Sequence, residues 1–398
     1  MAKANEIQSI RDYGRRKKRI RRRNILIISI LLFALLASVV VYIINLINKS
    51  YQNYEVVNNV KNTSEKAVGY LKYGSSVIKY TKNGAVAIRG NGNVLWNVSY
   101  EMSDPIADVC NEYVVIADRG KNSIYIMNKN GAVGNFTTLN KIIKVKIAKQ
   151  GVVAALMEDE DKNIIKLYSL DDTIITDSVE DNVIVEKISN IRNEGYPMDI
   201  ALSEDGKKLL VSFLSISEGE LLSTIGFYNF GDVGKSYINS FVGGYEFKNI
   251  VIPKVEFLDN DTAAVFKEDG FLLYSIPELP ELIYDISVEK EIKKILYNNR
   301  NLGYVLSGDG TNDQLKIYDF KGNLILDEQI SSQYNKIRLF GDEIIMYNNL
   351  NCLIQKINGK EKFRHAFDTN VEEIIPINNL DRYFIINESE VLDIMLKE

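Results

Sequence analysis

The chain has 398 residues, of which 46% are hydrophobic and 25% are charged, so a disordered chain is excluded and a folded core is expected. The formal net charge of −5 is unevenly distributed. Residues 1–24 carry ten Lys or Arg against two acids, a net of +8, which leaves −13 for the rest. There are only two cysteines, Cys110 and Cys352, which excludes a small disulfide-stabilised domain and predicts free thiols.

A long apolar segment follows the basic N-terminus. Residues 25–47 contain no charged side chain. As a helix they would extend about 35 Å, enough to cross a hydrocarbon layer of about 30 Å. A signal peptide would have a shorter apolar run and a small-residue cleavage site, and no convincing site follows. We therefore predict a cytoplasmic tail over 1–24 and a retained transmembrane helix over 25–47.

Eight basic residues directly precede this helix. Positive charge next to a membrane span is held on the cytoplasmic side, so the N-terminus is predicted to be cytoplasmic and the remainder extracytoplasmic. Such a run can also contact anionic lipid or nucleic acid. Topology and contact with the lipid bilayer explain it without a nucleic-acid partner, and none is predicted. The residues are Arg15, Arg16, Lys17, Lys18, Arg19, Arg21, Arg22 and Arg23.

Short alternating apolar runs that end in Gly, Asn or Asp fill the rest of the chain, a pattern typical of all-β proteins. We predict a polar stalk over 48–64, with one strand near 55–60, and a β-propeller over 65–398. One apolar position recurs at steps of 38, 41, 60, 46, 44, 37 and 40 residues, close to the period of about 40–45 of propeller blades with four strands each. These positions are Ile88, Ile126, Leu167, Phe227, Leu273, Ile317, Ile354 and Ile394.

The number of repeats favours eight four-stranded blades, with seven as the alternative. The last repeat ends after its third strand. A segment that follows the apolar helix is therefore predicted to add the fourth strand and to close the ring by hydrogen bonds, which removes exposed sheet edges.

Several stretches resemble known propellers. ALSEDGKKLLVSF (Ala201–Phe213) resembles WD40-like and TolB-like repeats, and GNVLWNVSY (Gly92–Tyr100) resembles quinoprotein-like repeats. The basic tail, single helix, IGFYNF and IYDFKGN segments are similar in order to a family of membrane-anchored propellers from low-GC Gram-positive bacteria, catalogued as a domain of unknown function. The resemblance implies a fold and a location but no site residues. Quinoprotein dehydrogenases repeat a Trp in each blade and this chain has only Trp96, so neither a quinone nor any other cofactor is predicted.

Few residues suggest catalysis or metal binding. His365 is the only histidine and is expected at a surface or edge, which argues against a Ser-His-Asp triad or a His-rich metal site. The acidic turns at 158–163, 258–263 and 307–314 could bind calcium, but plain turns explain them more simply. No catalytic or metal-binding residue is predicted, although a carboxylate pair for glycoside hydrolysis stays open.

The 60-residue step indicates an insertion, which we place at about 215–245. Long loops on a rigid scaffold often carry recognition, and aromatic residues suit interfaces. The alternative is a lengthened pair of strands that packs its own aromatic side chains. The candidate recognition residues are Tyr228, Phe230, Tyr237, Phe241 and Tyr245.

These features predict a membrane-tethered, extracytoplasmic propeller that acts as a binding or scaffold module for an envelope protein or a wall polymer, rather than an enzyme. The alternative is an extracytoplasmic glycan hydrolase or lyase with carboxylates at the propeller mouth. A third hypothesis is a sensor that signals through the short tail. An enzyme should bring acids or tyrosines together at the mouth, whereas a scaffold should present a broad surface instead.

Overall fold

The computed structural model describes residues 24–42, 49–62, 65–159, 162–170, 183–190, 195–378 and 380–398, with only the backbone for 183–190. The chain divides into two units, Met1–Ser50 and Tyr51–Glu398. In the first, helix α1 spans Asn24–Tyr42, and by length and composition it could cross a membrane. The predicted basic residues at 15–23 lie outside the described residues, as does the end of the predicted span beyond Tyr42.

The second unit is all-β, and its described residues form eight antiparallel four-stranded sheets, which confirms a propeller with the favoured number of blades. We number the blades 1 to 8 along the chain. The strands of blades 1 to 4 are β2 (Gly69–Tyr73), β3 (Ser76–Tyr80), β4 (Gly84–Arg89), β5 (Val94–Ser99); β6 (Pro105–Cys110), β7 (Tyr113–Asp118), β8 (Ser123–Asn128), β9 (Gly131–Thr137); β10 (Lys141–Ile147), β11 (Val153–Asp159), β12 (Lys162–Tyr168), β13 (Val183–Asn190); β14 (Tyr196–Leu202), β15 (Lys208–Ser217), β16 (Glu220–Asn229) and β17 (Phe241–Lys248).

Blades 5 to 7 follow the same order, and blade 8 begins with three consecutive strands. They are β18 (Lys254–Phe257), β19 (Thr262–Lys267), β20 (Gly270–Ser275), β21 (Glu281–Ser287); β22 (Ile292–Tyr297), β23 (Asn301–Leu306), β24 (Asn312–Asp319), β25 (Leu324–Ser331); β26 (Lys336–Phe340), β27 (Glu343–Tyr347), β28 (Asn351–Lys356), β29 (Glu361–Ala366); β30 (Glu373–Pro376), β31 (Arg382–Ile386) and β32 (Glu390–Lys397).

The ring is closed by a strand from the start of the second unit. β1 (Asn53–Lys61) pairs antiparallel with β32, from Asn53 opposite Lys397 to Lys61 opposite Glu390, and so becomes the fourth strand of blade 8. This is the closure predicted from the truncated last repeat. β1 falls within the segment 48–64 that the sequence predicts as a stalk.

The recurring apolar position lies on the third strand of every blade and is buried each time. A β-bulge follows it between the third and fourth strands, for example after Ile126, Phe227 and Ile317. In blades 1 and 8 the equivalent bulge precedes Ile88 and Ile394, so these two positions are shifted by one residue relative to the others. The repeat thus sets both the core and the bend of each blade.

Hydrophobic packing holds neighbouring blades together. Eight clusters of buried apolar side chains are found among the described residues, and each lies between two adjacent blades. Between blades 5 and 6, for example, Phe271 and Tyr304 are fully buried with ring centroids 5.4 Å apart. Burial of a large aromatic side chain contributes about 1.5–3 kcal/mol, so the stacked blades stabilise one another.

Candidate functional site

The first strand of each blade lines the axial channel. β2 contacts both β30 and β6, and β10 contacts both β6 and β14, so the first strands form the inner ring. Lysines alternate with aliphatic residues on several of them, for example at Lys144 and Lys146 on β10. Because side chains alternate in direction along a strand, one set faces the axis. The charges on this wall fall into two groups.

The first group, here called the paired arc, balances three lysines with three carboxylates. Its members are Lys144, Lys146, Lys254, Asp108, Asp199 and Glu256. Lys146 Nζ lies 2.8 Å from Glu256 Oε1 and 3.6 Å from Asp108 Oδ1, and Lys254 Nζ lies 3.1 Å from Glu256 Oε2. Lys144 pairs with Asp199. Each charge therefore has an opposite charge beside it.

Two carboxylates of the paired arc also join the first strands of successive blades. Asp108 accepts a hydrogen bond from the backbone N–H of Ile147 on the next blade at 2.9 Å. Asp199 accepts one from the N–H of Val255 on its next blade at 3.0 Å. Hydrogen bonds that involve a charged group are about twice as strong as neutral ones, so these carboxylates position the inner strands.

The protonation of the paired arc is set by burial and by its lysines. Burial alone would raise the pKa of Glu256, but the positive charges of Lys146 and Lys254 outweigh it and hold that pKa at about 2. Burial raises the pKa of Asp108, and Lys146 only partly offsets this. The Tyr297 hydroxyl also donates to Glu256 Oε2 at 2.9 Å. Two carboxyl groups on one lysine thus have pKa values shifted in opposite directions.

The second group, here called the basic arc, consists of Lys72, Lys294, Lys336 and Arg338 on the first strands of blades 1, 6 and 7. Lys294 Nζ donates to the Asn335 carbonyl at 2.6 Å and Lys72 Nζ to the Pro376 carbonyl at 2.6 Å, while Lys336 donates to the Glu372 carbonyl. Among the described residues these three ammonium groups form no ion pair.

Only one carboxylate offsets the basic arc at close range. Arg338 Nε lies 3.4 Å from Glu373 Oε1, which leaves four cations against one carboxylate, a net of +3. Glu372 is nearby, but its Oε2 accepts a hydrogen bond from the Tyr70 hydroxyl at 2.8 Å. With Glu372 counted, the excess is still +2.

A cavity of about 660 Å³ lies against the basic arc. Lys72, Lys336 and Arg338 line it together with Glu373 and apolar side chains of the first strands of blades 6 to 8, and three tyrosines complete this part of its wall. These are Tyr70, Tyr80 and Tyr297. Its volume falls within the range of about 300–1,000 Å³ typical of small-molecule sites.

Blade 4 differs from the other blades at its outer side. β15 and β16 have ten residues each, longer than any other described strand, and two short 3-10 segments, Gly234–Ser236 and Ile238–Ser240, separate β16 from β17. The 3-10 segments follow Phe227 and so fall outside the 60-residue step from Leu167 to Phe227. That step is lengthened by the β15–β16 hairpin and by residues 169–182, which separate β12 from β13, so the insertion predicted at about 215–245 accounts for it only in part. Part of the link 169–182 lies outside the described residues.

The predicted recognition residues are partly packed and partly exposed. Tyr228 is buried and packs edge-on against Phe241, with ring centroids 5.5 Å apart, and Phe230 is half-buried. Tyr245 lies 5.2 Å from the Tyr274 ring of blade 5. Tyr237 and Phe241 are exposed. The segment therefore packs some of its own aromatics, as the alternative prediction has it, and presents others to solvent.

A cavity of about 440 Å³ opens beside this segment, lined by Phe213, Leu222 and Phe241 among others. Ile238 also lines it and is 87% exposed. The next two residues, Asn239 and Ser240, have φ values of 54° and 56°, a left-handed conformation that Asn adopts readily but that is uncommon for Ser.

The remaining sequence candidates have local structural roles. His365 lies on β29 and stacks on Phe363 with centroids 5.7 Å apart. Cys110 and Cys352 are free thiols, half-buried and buried. Asp309 accepts hydrogen bonds from Thr311 and Asn312 within its own turn, and these bonds lower its pKa to about 2. No group of three potential metal-binding side chains occurs among the described residues, although part of the turn at 158–163 lies outside them.

Sequence reasoning missed both arcs of the channel. Their lysines alternate with aliphatic residues, as in the IIKVKIA segment around Lys144 and Lys146, and this pattern is also typical of a strand with one face in solvent. The signal that could have found them is position in the repeat, because the first strand of each blade has no solvent-facing outer side.

Comparisons with known proteins agree with the fold. Residues 47–396 match a family described as a family of unknown function (DUF5711). A search of curated proteins finds no significant match. Among solved structures, the chain is similar to BamB from Moraxella catarrhalis, at 9% identity and a TM-score of 0.51, over 86% of this chain and 100% of that one.

Two further structures are similar to a comparable extent. Sqt1 from Saccharomyces cerevisiae has 12% identity and a TM-score of 0.52, over 88% of this chain and 100% of that one. A eukaryotic initiation factor has 14% identity and a TM-score of 0.54, over 84% of this chain and 86% of that one. At such low identity these similarities concern the fold alone.

Proposed function

The chain belongs to the family of unknown function DUF5711, and from its architecture we propose that it is a membrane-tethered binding module whose propeller holds a protein partner outside the cytoplasm. The observation that carries the proposal is the surface of blade 4, where one blade departs from the repeat.

The blade 4 surface has the chemistry of a protein interface. It combines exposed Ile216, Tyr237, Ile238 and Phe241 with an open cavity beside them. Aromatic residues are enriched at the centres of protein interfaces and charged residues are depleted there. Aromatic rings can also stack on sugars, but the exposed aliphatic side chains of Ile216 and Ile238 offer a wall polymer no polar contact, so a protein partner fits this surface better.

The tether and the location rest on the N-terminal sequence. α1 is long and apolar enough to cross a membrane, and the eight basic residues over 15–23 favour a cytoplasmic N-terminus. Protease added to intact, wall-stripped cells should then digest the propeller and leave only the N-terminal segment. Full protection of the propeller would reject the extracytoplasmic location, whatever the propeller binds.

Site-specific photocrosslinking tests the binding surface. A photoreactive amino acid at Ile238 should crosslink to one major protein in membranes. The additional substitution Phe241→Ser should lower the yield of that crosslinked product. The matched control is the same amino acid at Leu324, which is exposed at the corresponding turn between the third and fourth strands of blade 6, a blade that does not adjoin blade 4. The same crosslinks at both positions, or none at Ile238, would reject blade 4 as the binding surface.

A second candidate function is glycan hydrolysis, and one observation favours it. Asp108 and Glu256 both form ion pairs with Lys146, and their pKa values are shifted in opposite directions. Enzymes often separate the acid and base roles of two carboxyl groups in this way. The purified protein should then release reducing ends from wall glycan, and Asp108→Asn should abolish the release. If the wild-type protein releases none, hydrolysis is rejected and only the binding role remains.

A further inference from the structure

The basic arc concentrates positive charge around one open cavity, with its three lysines half-buried and Arg338 exposed. Lys72, Lys294 and Lys336 donate to neutral carbonyl groups, which satisfy hydrogen bonds without cancelling charge. An unpaired charge removed from water is costly unless an opposite charge lies close to it. The protein provides such charges to every lysine of the paired arc, but the basic arc has one ion pair, between Arg338 and Glu373, and a more distant Glu343, whose charge only partly offsets the lowering of the Lys72 pKa by burial.

The effect of this crowding is seen at individual lysines. Burial lowers the pKa of Lys294, and the positive charges of Arg338 and Lys336 lower it further. Burial also lowers the pKa of Lys72. A negatively charged group in the adjacent cavity would oppose both effects and would stabilise the charged lysines.

The cavity also offers the geometry that an oxyanion requires. Lys336 and Arg338 lie on one strand, two residues apart, and Lys72 lines the same space from blade 1. Arg presents a planar set of N–H donors that matches carboxylate and phosphate oxygens, while Lys adds a compact charge. Apolar neighbours such as Ile337, Leu339 and Ile375 keep the surroundings low in polarity, which strengthens the attraction.

We propose that the basic arc is a binding site for a multiply charged oxyanion, a small ligand that carries phosphate or carboxylate groups. The site is distinct from the blade 4 surface: it lies on the axis and uses the first strands of blades 1, 6 and 7. Two or three negative charges would match the excess of +2 to +3. Binding would fix the inner ends of these blades, where no carboxylate ties Lys294 or Lys336.

Calorimetric titration of the full chain in detergent micelles tests the site, with pyrophosphate, inorganic phosphate and citrate as separate probes. Pyrophosphate and citrate should bind more tightly than phosphate because they carry more charge. Lys336→Met and Arg338→Gln should each weaken binding roughly tenfold or more, since hydrogen bonds to charged groups are among the strongest. A preference between pyrophosphate and citrate would distinguish a phosphate ligand from a carboxylate one.

Two controls keep the result interpretable. Lys129→Met removes an exposed lysine on blade 2 and should leave the affinity unchanged. Lys72→Gln, which also alters a residue that lines the cavity, is a second variant should Lys336→Met not fold, as judged by circular dichroism. The proposal is overturned if the folded wild type binds none of the probes up to about 10 mM, or if the arc variants bind as tightly as Lys129→Met. Neither result depends on a blade 4 partner.

Discussion

The two sides of the axial channel use the same residue types with opposite results. The paired arc sets three lysines against three carboxylates, and its members reach one another from different blades, as Lys146 of blade 3 reaches past blade 4 to Glu256 of blade 5. The basic arc has four cations and one carboxylate. The ring therefore neutralises the charges on one side of its axis and leaves an excess of positive charge on the other, where we propose that a ligand binds.

The largest expected effect comes from breaking the paired arc. Glu256→Gln leaves Lys146 and Lys254 largely buried without their main partner, and loss of one member of a buried ion pair costs about 3–5 kcal/mol. Urea denaturation should show this loss in the free energy of unfolding. Glu112→Gln, in the exposed pair with Lys129, should cost less than about 1 kcal/mol. Equal losses in both variants would contradict the contrast between buried and exposed pairs.

The same carboxylate predicts an acid limb of stability. The pKa of Glu256 is about 2 in the folded protein, below the value of 4.5 that it takes when unfolded. Its contribution is therefore complete above about pH 4.5 and is lost as the pH falls toward 2. Thermal melting between these values should show a smaller decrease for Glu256→Gln than for the wild type. Parallel curves would mean that Glu256 does not carry the low pKa.

Removal of a cation from the basic arc should have a smaller effect of the opposite sign. Lys294→Met relieves repulsion from Arg338 and Lys336 at the cost of one hydrogen bond to a carbonyl, so the free energy of unfolding should stay within about 1 kcal/mol of the wild type or rise. Urea denaturation measures this directly. A loss as large as that of Glu256→Gln would show that the basic arc is as tightly paired as the other side.

The stability of Lys294→Met should also depend on pH in a way that reveals charge repulsion. The pKa of Lys294 is lowered in the folded state, so its charge destabilises the fold below that pKa, and stability returns as the pH rises through it. The advantage of Lys294→Met should therefore shrink as the pH approaches 10.5. An advantage that is constant with pH would point to packing instead of charge as its cause.

The repeat made the fold predictable and left the channel hidden. The spacing of buried third-strand positions predicts the blades and the closing strand, apart from the one-residue shift at Ile88 and Ile394, where the bulge precedes the core residue. Lys144, Lys254, Lys294 and Lys336 recur at one first-strand position, each directly before Val or Ile, but the carboxylates that could pair with them do not recur. The partners of Lys146 and Lys336 lie more than 35 positions away in the sequence, as Glu256 does from Lys146. No local sequence pattern predicts whether such a lysine pairs with a carboxylate.

The blade 4 surface lies between these cases. The irregular repeat spacing indicates an insertion, and the aromatic residues of that insertion indicate a binding surface. The sequence does not show which of these side chains pack into the core. In the structure Tyr228 is buried because β16 continues the core pattern through it, whereas Tyr237 lies between two short 3-10 segments that carry no core position.

The charge asymmetry of the channel is tested most directly by anomalous diffraction from crystals soaked in sodium bromide. Bromide is a small anion that reports accessible, uncompensated positive charge. We expect anomalous peaks in the cavity within contact distance of Lys336 or Arg338, and none beside Lys144, Lys146 or Lys254. Peaks beside the paired arc would contradict this asymmetry. So would a cavity without bromide beside the basic arc in crystals where bromide binds next to other lysines.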